Sequence, residues 1–164
     1  MNAADFPRVG LQDAIAALAS MPGFLEAALQ SADTGEARLR PSEDGFSLVE
    51  QACHLRDLER EGYLVRVRRI LAEERPALEG FDGAAVARAR NYLEEDAHAA
   101  AREFAAARRA VVALLAPLGE AELAREATFD DRRITLAELV AMMCDHDRGH
   151  RAEIEALVDA MESP

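Results

Sequence analysis

The chain has 164 residues and a formal net charge of −12; half its residues are apolar, only 5% are aromatic, and there is no tryptophan. That length suits one domain with a real core and is too short for two ordinary ones, while the acidic balance repels phosphate backbones and argues against nucleic-acid binding. All 19 basic residues are arginines, which excludes lysine Schiff-base and Ser-Lys chemistry; a phosphate-binding Gly-rich loop with its lysine and a G-x-S-x-G elbow are both missing.

The apolar content is mostly alanine and leucine, strong helix formers, and it points to an all-α bundle. Residues 1–10 read as a lead-in. Leu11, Ile15, Leu18, Leu25 and Leu29 recur at helical spacing and predict a first helix over about 11–32. Pro22-Gly23 predicts a kink or brief break within it, because proline removes a helix hydrogen bond. A loop over 33–46 carries Asp33-Thr34-Gly35, Pro41 and Asp44-Gly45. Ser47-Leu48-Val49-Glu50 fits a capping box and opens a second helix over about 47–74, closed before Pro76. Leu48, Ala52, Leu55, Gly62 and Ile70 mark its apolar face, with His54 on the flank beside Leu58 and Val65.

Asp82-Gly83 is a turn signal before a short helix over about 84–90. A break at 91–95 leads to Asp96 as an N-cap and a third long helix over about 96–116. Ala97, Ala100, Phe104, Val111 and Leu115 form its stripe, and His98 points away from it as a surface histidine. Residues 118–134 read as a second long connection with a short turn near 120–125. Thr135-Leu136-Ala137-Glu138 is another capping box, opening a fourth helix over about 135–161. Its stripe includes Leu136, Leu139, Val140, Met143, Ile154 and Leu157, with His150 near the centre, His146 at the edge and Asp147 pointing inward. Polar groups on a core stripe are costly unless something satisfies them.

His146 and His150 are two of only four histidines. Four residues apart on a helix, they present both rings on one face, one turn apart. With His54 they make a three-histidine set able to hold a metal ion, and three protein ligands are the pattern of a catalytic zinc site that leaves a position for water or substrate. The ion would activate water or a thiol. Glu50, Asp57, Asp145 and Asp147 are the acceptors available to orient the rings. The plainer reading is that two histidines a turn apart on an acidic helix bond to Asp and Glu. Cys53 and Cys144 sit in apolar helical patterns and read as reduced, buried small hydrophobes. Arg56, Arg60, Arg66 and Arg69 on the second helix are expected to pair with nearby glutamates, with recognition of a substrate carboxylate as the alternative. No signal-peptide pattern opens the chain and no apolar run approaches ~18 residues, so the expectation is a soluble cytoplasmic protein without a membrane span.

The stretch Gly45-Phe46-Ser47-Leu48-Val49-Glu50-Gln51-Ala52-Cys53-His54-Leu55-Arg56-Asp57-Leu58-Glu59 resembles the second-helix signature of the DinB/YfiT-like superfamily. That signature has an aromatic, usually Trp, then Ser, a capping Glu, and His-Leu with acidic residues; Phe46 is a departure from the commoner Trp. Asp145-His146-Asp147-Arg148-Gly149-His150 resembles its C-terminal H-x3-H, and Phe81-Asp82-Gly83 and the Phe104 to Arg109 stretch resemble the pattern between. The resemblance covers nearly the whole chain. It implies a four-helix bundle in up-down-down-up order with long connections, the 75–95 connection carrying the crossover between parallel second and third helices. It also implies a divalent ion, zinc or nickel, on His54, His146 and His150, and a homodimer. Members of known activity use low-molecular-weight thiols, so the resemblance implies a metal-dependent thiol S-transferase, with hydrolysis as a variant. The alternative is a non-catalytic, stress-related helical dimer whose metal site is structural or vestigial.

Overall fold

Side-chain caps set where the helices begin in the computed structural model, which describes residues 10–163. Apart from Gly10, the expected lead-in lies outside the described residues. Ser47 Oγ accepts from the Glu50 amide (3.3 Å), and Glu50 Oε1 accepts from the Ser47 amide (3.1 Å). Thr135 and Glu138 form the same reciprocal pair at 3.1 and 2.7 Å. Asp82 and Asp96 each accept from the amide three residues on, both at 3.0 Å. Each bond satisfies an orphan first-turn group.

The helices are α1 (Leu11–Gln30), α2 (48–72), α3 (Gly83–Arg90), α4 (Ala97–Leu115), α5 (Glu120–Leu123) and α6 (Leu136–Glu162). The α2 run is α-helical over Leu48–Asp57, π-helical over Leu58–Tyr63 and α-helical again over Leu64–Ala72. No helix among the described residues is long and apolar enough to cross a membrane.

Contacts between helices give the bundle order. Arg56 near the start of α2 meets Glu95 just before α4, and Arg60 meets Glu103 one turn and more into α4. Arg125, beyond α4, reaches the Ile70 carbonyl near the end of α2 (2.7 Å). So α2 and α4 run parallel. Cys144 touches Ala14, and Arg151 touches Ser20, so α1 and α6 run parallel too. Gln51 near the start of α2 bonds Glu153 late in α6, which sets the two pairs antiparallel. This is up-down-down-up order, with residues 73–96 carrying the crossover. Leu18, Leu25, Leu55, Phe104, Leu139 and Ile154 are among the fully buried residues between the four long helices.

Three features depart from the sequence reading. The 118–134 connection is not irregular: β2 (Glu126–Phe129) and β3 (Arg132–Thr135) form an antiparallel hairpin, and β1 (Ala77–Leu78) pairs parallel with β2. Asp130 and Asp131 both take positive φ (49° and 60°), the conformation two-residue hairpins require, without the Asn-Gly that usually signals it. The π segment has no compositional mark. Finally, α1 runs unbroken through Pro22. The proline deprives the Leu18 carbonyl of its partner, and Arg108 Nη1 donates to that carbonyl instead (2.9 Å).

Arg108 is 2% exposed and touches every long helix. From α4 it bonds Leu18 on α1, both carboxylate oxygens of Glu59 on α2 (2.8 and 2.8 Å), and both of Asp147 on α6 (2.6 and 3.0 Å). Burial opposes the charge, and the two carboxylates outweigh it, holding the guanidinium above its ordinary range. Removing one member of such a network strands the others in the core. Arg108→Met should lower unfolding stability by about 3–5 kcal/mol in urea titration. Replacing Glu59 and Asp147 by leucine in the same variant should recover much of that loss; a single variant as stable as wild type would show that the network holds nothing together.

Candidate metal centre

His54, on the first half of α2, meets His146 and His150 on α6. Their ring centroids lie 5.6 and 4.8 Å from His54 and 4.3 Å from each other. One potential ligand atom from each falls within 4.8 Å of the other two, and among the described residues no fourth His, Cys, Asp or Glu joins the group. His54 is 7% exposed; the other two are half-buried.

The orientation of His150 is fixed from outside the cluster. Gln51 Nε2 donates to Glu153 Oε2 (2.6 Å), which turns Gln51 Oε1 towards His150 Nδ1 (2.7 Å). An amide oxygen only accepts, so Nδ1 carries the proton and the neutral ring keeps its lone pair on Nε2. That Nε2 lies 3.0 Å from His146 Nε2. Glu153 Oε2 also stands 3.3 Å from His150 Nδ1 and reinforces the tautomer. Without a cation, His146 must place its own proton between the two nitrogens, and His54 Nδ1 stays buried with no partner. A divalent cation fits this set: three neutral nitrogen donors converge, and the polar cost of burying them is otherwise unmet.

Gly83 makes room for His54. A Cβ at Gly83 would fall 2.6 Å from His54 Cε1 and 2.8 Å from Nδ1. The imidazole is hemmed in by Phe46 and Phe81, at centroid distances of 5.4 and 6.2 Å, and cannot swing aside freely. Tyr63 presents its ring edge-on to His146 at 5.9 Å.

Burial, and then the neighbouring His150, push His54 down to about 4. Burial, then His150 and His54, push His146 down to about 2. Burial also holds His150 below the usual histidine range, against the pull of Glu153. All three rings are therefore neutral at pH 7, the state that ligates.

Two cavities border the cluster. One of about 680 Å³ adjoins His150 and is mostly apolar, with Leu39, Phe46, Leu157 and Met161 in its wall. The other, about 560 Å³, adjoins His54 and His146 and includes Tyr63, Arg66, Phe81 and Phe129.

Of the four acceptors named from the sequence, Glu50, Asp57 and Asp147 do not bond the histidines. Glu50 is taken by Arg40 (2.8 Å) and the Ser47 cap. Asp57 is taken by Arg56, Arg90 and Tyr92, and Asp147 by Arg108. Asp145 pairs with Arg148. Gln51 does the orienting. It stands three residues before His54 on the same helix, a spacing that could have drawn notice, whereas Gly83 read only as a turn. His98 is exposed and away from the cluster, at the start of α4. Cys53 and Cys144 are free and buried, with burial raising the thiols to about 12 and about 11, so both are inert at neutral pH. Arg56, Arg60 and Arg69 pair with acidic side chains as expected, and Val65 is exposed.

A family model described as the DinB superfamily matches residues 17–154. Among solved structures, the chain is similar to YfiT from Bacillus subtilis, described as a probable metal-dependent hydrolase with an unusual four-helix bundle topology. The two are 21% identical with a TM-score of 0.86, over 94% of this chain and 89% of that one. No curated protein matches the sequence.

Two outcomes follow from this geometry. Gly83→Ala keeps a helix-compatible backbone but displaces the His54 ring, so it should weaken zinc binding by about 10–100-fold in competition titrations while leaving helix content unchanged. Unaltered zinc affinity would mean that the ring has room to move. The second concerns acid. Unfolded histidines take up protons near pH 6.5, and folded His54 refuses one until about 4, so metal-free stability should fall as pH drops through that window. Each ring contributes a slope of about 1.4 kcal/mol per pH unit, and His54→Gln should remove one such increment from denaturation midpoints measured between pH 6.5 and 4.

Proposed function

The chain belongs to the DinB superfamily, and from that premise we propose that it is a metal-dependent enzyme that transfers a group to a low-molecular-weight thiol, with hydrolysis as the water counterpart. His54, His146 and His150 would hold a divalent ion, zinc or nickel. The observation that carries the reading is the convergence of three neutral histidines within 4.8 Å, with no fourth donor among the described residues. Three nitrogen donors bordered by cavities are the arrangement of a centre that admits a reactant. A bound divalent ion would supply Lewis acidity towards a thiol or water.

The chain's own groups do the rest. Gln51 and Glu153 keep the His150 proton on Nδ1, away from the shared space between the rings. Phe46, Phe81 and Gly83 fix the plane of His54. The apolar wall of the larger cavity favours a hydrophobic electrophile. A purely structural site would be closed by a fourth donor, which makes the reading as a non-catalytic helical dimer the weaker one. We further propose a cytoplasmic homodimer.

Untagged wild type and His150→Ala, each incubated with zinc or nickel and desalted, should differ in metal content by mass spectrometry: near one ion per chain in wild type and little in the variant. Turnover of glutathione with an activated aryl halide, or of a nitrophenyl ester with water, should fall about 100-fold with the lost ion. Turnover that persists after complete chelation would overturn the reading.

A further inference from the structure

Among the described residues, three arginines are more than nine-tenths buried: Arg56, Arg66 and Arg108. Arg56 pairs with Asp57 and Glu95 at 2.8 and 2.6 Å. Arg108 pairs with Glu59 and Asp147. Arg66 has no carboxylate within ion-pair distance among the described residues. Its Nε and Nη2 donate to one backbone carbonyl, that of Glu79 (3.2 and 3.0 Å). Its guanidinium lies over Phe129 and Tyr63, with Cζ 4.7 and 5.3 Å from their ring centroids. A carbonyl and two rings hold this group in place without neutralising it. An arginine stays charged even when burial lowers its pKa, as it does here, and a buried charge without a counterion is costly.

The same guanidinium lines the cavity that adjoins His54 and His146. Tyr63 spans the gap, with its ring 5.9 Å from that of His146 and 5.3 Å from Arg66 Cζ. Leu58, Phe81, Phe129 and Met142 give the cavity an apolar lining. Asp82 and Asp130 also line it. Asp82 is engaged in capping α3 through the Ala85 amide, and Asp130 lies beyond ion-pair distance of Arg66 while still favouring its positive charge at longer range.

We propose that this cavity is the substrate subsite of the three-histidine centre, and that Arg66 selects a small substrate bearing a carboxylate. The carboxylate meets the face of the guanidinium fork left over by Glu79, through Nη1 and the remaining Nη2 hydrogen. The apolar body lies against Phe81, Phe129 and Met142, and the reacting end points towards His54 and His146. The assignment of a reacting end rests on the metal-dependent reading above; carboxylate binding does not, because Arg66 supplies it whether or not an ion is present. The volume of about 560 Å³ suits a small aryl or alkyl acid.

The test uses benzoate and its neutral counterpart benzamide, titrated into full-length protein, both zinc-loaded and metal-free. Calorimetry gives affinities, and the Arg66 Nε–H resonance in NMR reports contact at the guanidinium. Benzoate should bind at least about tenfold more tightly than benzamide in both forms and shift that resonance. Arg66→Gln should bring the two probes within about twofold of each other. Because Arg66 also ties down the Glu79 carbonyl and its loss can disturb folding, a second variant is needed. Asp130→Asn suits the left-handed turn and removes the opposing carboxylate, so it should tighten benzoate about threefold and leave benzamide unchanged. Equal binding of the two probes by wild type would overturn the proposal. So would a preference that appears only with zinc and survives Arg66→Gln, since the ion alone would then be holding the acid. Failure of the metal reading would show in metal content and leave the metal-free titration intact.

Discussion

One guanidinium holds the register of this bundle. Arg108 meets a main-chain carbonyl of α1 and carboxylates of α2 and α6 while itself belonging to α4, so any helix that slips along its axis must break a buried charge-assisted bond. Apolar packing alone tolerates small slides, because one leucine ridge resembles the next. A forked group with fixed directions does not. Asp147 lies next to His146 and one turn from His150 in space, so the bond that fixes the height of α6 also fixes the two rings against His54. The proline in α1 belongs to the same arrangement: it vacates the Leu18 carbonyl that the guanidinium then uses.

The electrostatics of the interior divide into two zones. Around Arg108 and Arg56 each buried cation has at least two acidic partners, and the charges close on themselves. Around His54, His146 and Arg66 they do not. The imidazoles are neutral and crowded, and the nearby guanidinium is held by a carbonyl and aromatic faces. A chain with a net charge of −12 thus keeps, among the described residues, a buried guanidinium without a direct ion-pair partner beside a cavity that Asp82 and Asp130 also line. Regions of this kind are where ligands supply what the fold withholds.

Helix caps, apolar stripes and the His146–His150 pair were readable from residue spacing, and the family resemblance joined His54 to that pair. Ser47 with Glu50 and Thr135 with Glu138 announced helix starts that the structure places at those residues. What escaped notice depends on contacts distant in sequence. Pro22 was expected to kink or briefly break its helix, because the donor that rescues the freed carbonyl lies some ninety residues away. The β2–β3 hairpin turns on two aspartates that do not advertise a left-handed turn. The orienting group for His150 was sought among Glu50, Asp57, Asp145 and Asp147, but these pair with arginines, and an amide backed by Glu153 fills the place. Charge balance in the folded state decided that choice, and it cannot be read from one helix at a time.

The π-helical turn of α2 sets an angle as well as a path. His54 and Arg66 are twelve positions apart, which in an uninterrupted α-helix would place them about 120° away from each other around the axis. Hydrogen bonds that skip one residue further wind the chain more slowly, and six residues so wound take back about a third of a turn. The two halves of α2 are in this sense spliced out of phase, and the splice brings an imidazole and a guanidinium to the wall of one cavity. Ordinary α-winding through 58–63 with every residue kept would leave both ends of the helix intact and turn the arginine about 120° away from the histidines, whereas deleting one residue there would remove the π turn and still leave the two within about 20° of each other.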